Sequence, residues 1–296
     1  MAQVLNTPPL LDEPMRFHTS LRIGGPAEVL AFPSNQDELK ALLDIARGED
    51  VPFFLIGQGT NLLVKDEGIR GLVINLARFS PEITFSDSTV RAGPGVPVVK
   101  LARQAINKGL GGLEFAIGIP GSLGGALYMN AGAYGRCIGD LVEEVTTMDY
   151  QGNKTKRSRK ELNFAYRKST FQEEGSIIIE AALGLEAADK EEMLNKVAEI
   201  QKTRKNKQPQ KPSAGSVFRN PYGQAAGFLI EKAGMKGHTV GGAQVSTLHA
   251  NFIVNRGGAT AGDVLDLIEY VRERVRASRG VELELEIKIV GKDGIE

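Results

Sequence analysis

Gly118-Ile119-Pro120-Gly121-Ser122-Leu123-Gly124-Gly125-Ala126-Leu127-Tyr128-Met129-Asn130-Ala131-Gly132-Ala133-Tyr134-Gly135 is the stretch that decides how this chain is read. Six of these residues are glycine and none is charged, which is unusual for a segment expected to run through water. Glycine permits positive φ and close backbone approach. Successive N–H groups left free in such turns form a concavity suited to a phosphate. Pro120, followed by small residues, is placed to open a short helix whose N-terminus would take a pyrophosphate. A tightly packed turn between two elements explains the same composition, so the residues alone leave both readings open.

The bulk composition narrows the function classes. The 296 residues suffice for two domains or one large domain with insertions. Lys plus Arg balances Asp plus Glu at 36 each, so no basic excess points to nucleic acid. The single Cys137 excludes an internal disulfide, and His18, His238 and His249 lack metal-binding spacing. No metal site is expected. No apolar run has the length of a membrane span, and the first residues lack the apolar core of a signal peptide. The expectation is a soluble, cytoplasmic protein, with no nucleic-acid or membrane partner. Without tryptophan, any ring stacking on a ligand falls to Tyr, Phe or His.

Outward from the glycine stretch, strands and helices mix without regular alternation, which points to α+β. Met1 to Pro14 reads as a polar arm. Ala27 to Phe32 is a strand, and Ser34 to Asp37 a capping box before a helix with Leu39, Leu42, Leu43 and Ala46 on one face. Pro52 to Ile56 is a buried strand running into Gly57-Gln58-Gly59-Thr60-Asn61. That turn starts like a dinucleotide fingerprint, but Leu62 replaces the third glycine and a strand follows, so the Rossmann reading fails. A second phosphate-cradling loop of another type remains open. Thr89 to Ala92 is a strand, and Val98, Leu101, Ala102 and Ala105 mark a helix. Gln151-Gly152-Asn153 signals a hairpin. Lys190 to Thr203 has a helical pattern, and Lys202 to Lys211 is either a solvated linker or a basic strip able to hold a diphosphate. Helices are expected at Ala225 to Ala233 and from Thr260 to Gly280, the second with a capping box. From Glu282 to Ile289 the residues alternate: Leu283, Leu285, Ile287 and Ile289 on one side, Glu282, Glu284, Glu286 and Lys288 on the other.

Six pieces then coincide in order: Gly57-Gln58-Gly59-Thr60-Asn61-Leu62-Leu63, Gly118 to Gly125, Asn130-Ala131-Gly132-Ala133-Tyr134-Gly135, Tyr166-Arg167-Lys168-Ser169, Ala214-Gly215-Ser216-Val217-Phe218-Arg219-Asn220-Pro221 and Glu284-Leu285-Glu286. Together they resemble the UDP-N-acetylenolpyruvoylglucosamine reductase family, flavoenzymes of peptidoglycan precursor synthesis, from about Thr19 to Gly291. The resemblance implies an α+β, vanillyl-alcohol-oxidase-type (PCMH) FAD-binding fold with a C-terminal α+β substrate-binding domain. It divides the chain into FAD-binding subdomains at 1–75 and 76–205 and a substrate-binding domain at 206–280, with the last strand, 281–296, returning to the second subdomain.

The resemblance also implies the chemistry. FAD is expected to bind non-covalently, since neither glycine loop carries His and Cys137 lies just past the second. Its binding residues would be Gly57, Gln58, Gly59, Thr60, Asn61, Leu62, Gly118, Pro120, Gly121, Ser122, Gly124, Gly125, Asn130, Gly132, Ala133 and Tyr134. NADPH would reduce the flavin, and hydride from FAD N5 would pass to the enolpyruvyl group of UDP-N-acetylglucosamine enolpyruvate, giving UDP-N-acetylmuramate. Arg167 would hold the substrate carboxylate, Ser216 supply the proton and Glu286 act as a protonated carboxyl. By residue type alone each has a plainer reading: a surface ion pair, a turn hydroxyl and a solvated stripe. Lys207, Asn220 and His249 are the candidates for holding the UDP-sugar. The chain is expected to act as a monomer. Some family members carry a tyrosine loop between the Arg and Ser motifs; the interval Phe171 to Ser213 is too short for it. An oxidase or dehydrogenase on the same flavin fold, or a nucleotide-sugar binder without catalysis, are the rival readings.

Overall fold

Helix α1 (Gln36–Gly48) forms where Leu39, Leu42, Leu43 and Ala46 recur at helical spacing, and all four are buried. Its cap sits one residue later than the sequence suggests. Asn35 Oδ1 accepts from the Glu38 N–H at 3.0 Å, and Glu38 reaches back to the Ser34 N–H at 2.8 Å. The computed structural model describes residues 4–295. The expected N-terminal arm therefore begins outside the described residues, and its remainder is tied down. Leu5 is buried, the Asn6 N–H donates to Glu38 at 3.2 Å, and Leu10–Pro14 is a strand.

The chain divides into two units. The first holds the N-terminal residues to Leu10, with Leu30–Gln58 and Val73–Arg204. At its centre is an antiparallel sheet in the order Lys154–Ser158, Val142–Asp149, Ser176–Gly184, Thr89–Ala92, Ile83–Ser86. The Gln151-Gly152-Asn153 hairpin forms as expected. Asp149 accepts from the Gln151 and Asn153 N–H groups, and Gly152 takes φ 89°. Strand alternation sends Val90, Val145, Ala181 and Leu183 to a core shared with Leu101, Ala102 and Ala105 of helix α2 (Val98–Asn107) and Leu123 and Leu127 of helix α3 (Leu123–Tyr128). The neighbouring residues Arg91, Glu144, Lys156 and Glu180 form an ion-pair cluster on the other face, with Arg91 2.9 Å and Lys156 2.8 Å from Glu144. Helix α4 (Lys190–Lys207) buries Met193 and rests Val197 and Ile200 on the same core. The lysine-rich run thus begins inside a helix rather than in a linker, where cations complement the C-terminal dipole.

The second unit comprises Leu11–Val29, Gly59–Leu72 and Lys205–Glu296. Its sheet runs Ser213–Ser216, Phe252–Asn255, Ala243–Val245, Thr239–Val240, all antiparallel. Helix α5 (Ala226–Lys232) and helix α6 (Ala261–Arg279) share a core with it. Sequence chemistry specifies α6 most fully. Thr260 Oγ1 accepts from the Asp263 N–H at 3.0 Å, Asp263 accepts from the Thr260 N–H at 3.1 Å, and Gly280 at φ 66° ends the helix. Val264, Leu267, Ile268, Val271 and Val275 are all buried, and burying each such side chain stabilises by roughly 1.5–3 kcal/mol. Asp66 accepts from the Ala261 and Gly262 N–H groups at 2.9 and 3.1 Å, placing a carboxylate on the positive end of the helix.

The terminal strand is shorter than the alternation implies. Lys288–Gly291 pairs parallel with Leu62–Val64, not with the 76–205 segment to which the sequence reading returns it. The reason is burial: Val64 and Val290, register partners in that ladder, are both fully buried. Among the described residues, no helix is long and apolar enough to cross a membrane, and no His, Cys, Asp and Glu group could hold a metal.

Candidate active site

In the first unit the charge-free glycine stretch packs onto the turn at Gly93-Pro94-Gly95. The Val98 N–H donates to the Gly121 carbonyl at 3.0 Å; the Leu123 and Gly124 N–H groups donate to the Val96 and Pro94 carbonyls at 2.8 and 2.9 Å. This corrects one expectation. Helix α3 starts at Leu123 rather than Pro120, and its first two N–H groups already have carbonyl partners. Backbone donors remain instead in the turn before the helix. There Gly121 takes φ 116°, and the Gly121 and Ser122 N–H groups donate to no protein acceptor among the described residues. A Cβ on Gly57 would stand 2.5 Å from Ser122 Oγ, and one on Gly124 2.7 Å from Pro94 Cβ. The Gly57-Gln58 turn and the Gly118–Gly125 turn therefore touch, and glycine is required where they do. A diphosphate would fit this turn: two backbone N–H groups are available, and no residue from Gly118 to Gly125 is acidic.

Beyond α3, Asn130 and Tyr134 both adopt left-handed backbone, at φ 43° and 54°. Asn130 is 4% exposed, and its amide works inside the protein, Nδ2 donating to the Ala165 carbonyl at 2.8 Å and Oδ1 accepting from the Gly139 N–H at 3.0 Å. Its side chain shapes the loop. Gly132 and Ala133 form a small hairpin with Arg136–Cys137, and exposed Tyr134 stands at its tip. The Cys137 thiol donates to Asp140 at 3.2 Å, and burial together with that carboxylate pushes its pKa up, so it is a poor nucleophile. Arg167 sits at the turn between Phe164–Ala165 and Lys168–Ser169, with φ 57° and Nη1 3.4 Å from the Gly132 carbonyl.

In the second unit the Gly59–Leu62 segment is fixed against the Glu286 segment. Gly59 has φ 62°, and a Cβ there would stand 2.1 Å from the His18 carbonyl oxygen. Asn61 Nδ2 donates to the Glu286 carbonyl at 3.1 Å, the Lys288 N–H donates to the Asn61 carbonyl at 2.9 Å, and Leu62 pairs with Lys288. Thr60 is half-buried beside them. Ser216 ends the Ser213–Ser216 strand behind Gly215, whose φ of 78° produces the register shift between Ser213 and Ser216. The next residues are clamped. Asn251, 3% exposed, accepts from the Phe218 N–H at 2.9 Å and donates to the Phe218 carbonyl at 2.8 Å; its own carbonyl accepts from the Val217 N–H. The Glu286 N–H donates to the Val217 carbonyl at 2.8 Å, so the Ser216 and Glu286 motifs are brought together. Glu286 is half-buried while Glu282 and Glu284 are exposed, so the acidic face is not a uniform solvated stripe.

A cavity of about 330 Å³ lies within this unit, lined by Ser216, Asn220, Phe228, Glu231, His249 and Asn251 among others. Asn220 also caps α5, its Oδ1 accepting from the Ala226 N–H at 3.0 Å. His249 Nδ1 accepts from the Asn251 N–H at 3.3 Å, and burial, with Lys236 adding, lowers its pKa. The folded protein thus holds this ring neutral where an unfolded chain would protonate it. Stability should fall as pH drops below about 6.5, the unfolded value. Thermal melts at pH 5.5 and 7.5 check this: His249→Gln should narrow the gap between them, and an unchanged gap would refute it. Lys207 is exposed at the last residue of α4, away from the lining of this cavity.

Sequence reasoning passed over Asn251, Arg219 and Lys288. Arg219 Nε is buried without a hydrogen-bond partner among the described residues, and Nη1 lies 3.7 Å from Glu284. Burial, with Arg219 close by, lowers the Lys288 pKa. Their signal was only proximity, since Arg219 follows Ser216 by three residues and Lys288 follows Glu286 by two.

Comparison with known proteins gives two family matches. Residues 27–156 match the family described as FAD binding domain, and residues 208–290 match the C-terminal domain of UDP-N-acetylenolpyruvoylglucosamine reductase. The UDP-N-acetylenolpyruvoylglucosamine reductase of Caldanaerobacter subterraneus is 48% identical over 95% of this chain and 93% of its own length. That of Bacillus velezensis is 45% identical over 95% and 94%. The crystal structure of UDP-N-acetylenolpyruvylglucosamine reductase from Thermus caldophilus, 39% identical, superposes with a TM-score of 0.80, covering 95% of this chain and 98% of that one. The glycine cradle and the Ser216 motif fall inside the two matched segments, and the α+β fold agrees throughout: the chain belongs to the UDP-N-acetylenolpyruvoylglucosamine reductase family.

Proposed function

We propose that this protein reduces the enolpyruvyl double bond of UDP-N-acetylglucosamine enolpyruvate to the lactyl ether of UDP-N-acetylmuramate, a step of peptidoglycan precursor synthesis, with NADPH as reductant and FAD held non-covalently. The observation that carries this reading is identity near 45% over almost the whole length of reductases that bear this name. Bound FAD, once reduced by NADPH, supplies the hydride for the terminal carbon of the enolpyruvyl group. The chain's residues bind and balance charge around that event. The turn at Gly121 and Ser122, packed on Gly57, holds the diphosphate of the cofactor through backbone N–H groups. Gly59, Thr60, Asn61, Leu62 and Tyr134 are the further residues that serve the cofactor in this reading.

Negative charge grows on the carbon beside the carboxylate as hydride arrives. Arg167 binds that carboxylate, because a permanently charged planar guanidinium meets two oxygens and gains most when charge builds there. Ser216 donates its hydroxyl proton to the carbanion-like carbon; such an acceptor is basic enough for an alcohol to serve. Glu286, half-buried and held by its N–H on the Val217 carbonyl, acts as a protonated carboxyl toward the reduced substrate. The cavity bounded by Ser216, Asn220 and His249 receives part of the UDP-sugar, and Lys207, outside that lining, takes up diphosphate charge beyond it. In this reading residues 1–75 and 76–205 serve the flavin, and 206–280 the substrate.

Steady-state assay tests the reaction. NADPH oxidation should require the enolpyruvyl substrate and yield a product heavier by two hydrogens. Oxidation of hydroxy acids or sugar lactones, with no response to the enolpyruvyl compound, would instead support the oxidase reading. The protein is read as a cytoplasmic monomer, and a sedimenting mass near the chain's 31.9 kDa is the expected result.

A further inference from the structure

Gln172 stands outside every motif that carries the family resemblance, yet its side chain ties the Arg167 motif to the end of helix α3, between two of the others. Its amide nitrogen donates to the Tyr128 carbonyl at 2.6 Å and to the Arg167 carbonyl at 3.2 Å. An amide carries two N–H donors, so one group meets both acceptors. The Tyr128 carbonyl also accepts from Ser169 Oγ at 2.7 Å. On the other side of the turn, Asn130 donates to the Ala165 carbonyl at 2.8 Å. Both flanks of Arg167 are therefore pinned to the segment that follows the glycine cradle. The base is firm: Gln172 closes the short turn Thr170–Gln172, whose Phe171 is 2% exposed in the core.

Arg167 needs such support. Its φ of 57° is left-handed, a strained conformation for a non-glycine residue that persists only where its surroundings impose it. We propose that Gln172 is a positioning residue for the reductase reaction: its amide fixes the left-handed turn from which Arg167 presents its guanidinium to the substrate carboxylate. This rests on the carboxylate-binding role given to Arg167 above. In this role Gln172 acts through Arg167 and not on the substrate or the cofactor. Displacing a binding group by about an ångström costs up to about 100-fold in rate, so the effect should be large although the contact is remote.

The test uses full-length, FAD-loaded protein. Gln172→Met keeps length and volume and removes the donor; Gln172→Glu keeps shape and puts an acceptor against two carbonyls. Both should load FAD and be bleached by NADPH at the wild-type rate, with the KM for NADPH unchanged. Reoxidation by UDP-N-acetylglucosamine enolpyruvate should slow by about 10- to 100-fold, with its KM raised. Gln172→Met should add no further loss to Arg167→Ala. A merely structural defect would weaken flavin loading and both half-reactions alike. Wild-type reoxidation in Gln172→Met, or losses that multiply in the double variant, would overturn the proposal. Wild-type reoxidation in Arg167→Ala would refute the carboxylate role itself, and the positioning role with it.

Discussion

Ser216→Ala should leave FAD bound and reducible by NADPH while slowing turnover of the enolpyruvyl substrate by about 10²–10⁴-fold, the usual worth of a positioned proton donor. The argument begins with backbone. Gly215 at φ 78° shifts the strand register, so that Ser216, still paired with Phe252 at the strand's end, lines the cavity wall. A half-buried hydroxyl there loses little packing when cut back to alanine, so folding should survive. The two half-reactions then separate cleanly. NADPH bleaching does not involve a proton to the substrate carbon and should be unchanged; substrate-driven reoxidation does, and should collapse. Stopped-flow absorbance measures both. If bleaching and reoxidation slow by the same factor, Ser216 is a structural hydroxyl and the proton comes from elsewhere.

Asn251→Leu should produce the largest loss of stability outside the aliphatic core. The side chain is nearly isosteric, yet it leaves the Phe218 N–H and carbonyl buried without their partners. Each orphaned group costs about 1–3 kcal/mol, so the sum is roughly 2–6 kcal/mol against the 5–15 typical of a domain. The urea midpoint should drop sharply. Asn251→Asp should fall between, since its carboxylate still accepts from the Phe218 N–H but can donate nothing to the carbonyl. Catalysis should suffer too, because Val217 and Phe218 carry Ser216 and pair with the Glu286 segment. A midpoint matching wild type would show that the Phe218 groups find water or other partners, and that Asn251 is not the clamp.

Those two positions also mark what the sequence made legible. Helix α6 was readable to the residue, because capping box, apolar face and terminal glycine all state the same helix. The glycine turns were readable as turns, and their ordered set identified the family. The placement of α3 was not. Pro120 suits a helix start, but tertiary pairing of Leu123 and Gly124 with Val96 and Pro94 delays the helix and leaves Gly121 and Ser122 in the turn before it. The strand from Glu282 alternates as if fully paired, yet only Lys288–Gly291 finds a ladder; upstream, the Arg219 and Glu286 N–H groups bond the Glu284 and Val217 carbonyls irregularly. Asn251 and Gln172 left no local pattern, because each works on backbone more than thirty residues away or across a turn. A single polar residue in an apolar or irregular run has no period to detect.

Everything above depends on reduced flavin giving up its electrons to a carbon–carbon double bond presented by these residues. The direct measurement is to reduce the protein with NADPH in the absence of oxygen, remove excess NADPH, and add UDP-N-acetylglucosamine enolpyruvate while following flavin absorbance. Return of the yellow colour, with one molecule of UDP-N-acetylmuramate formed per flavin and no response to UDP-N-acetylglucosamine, is the predicted result. Colour that returns only when air is admitted would contradict it.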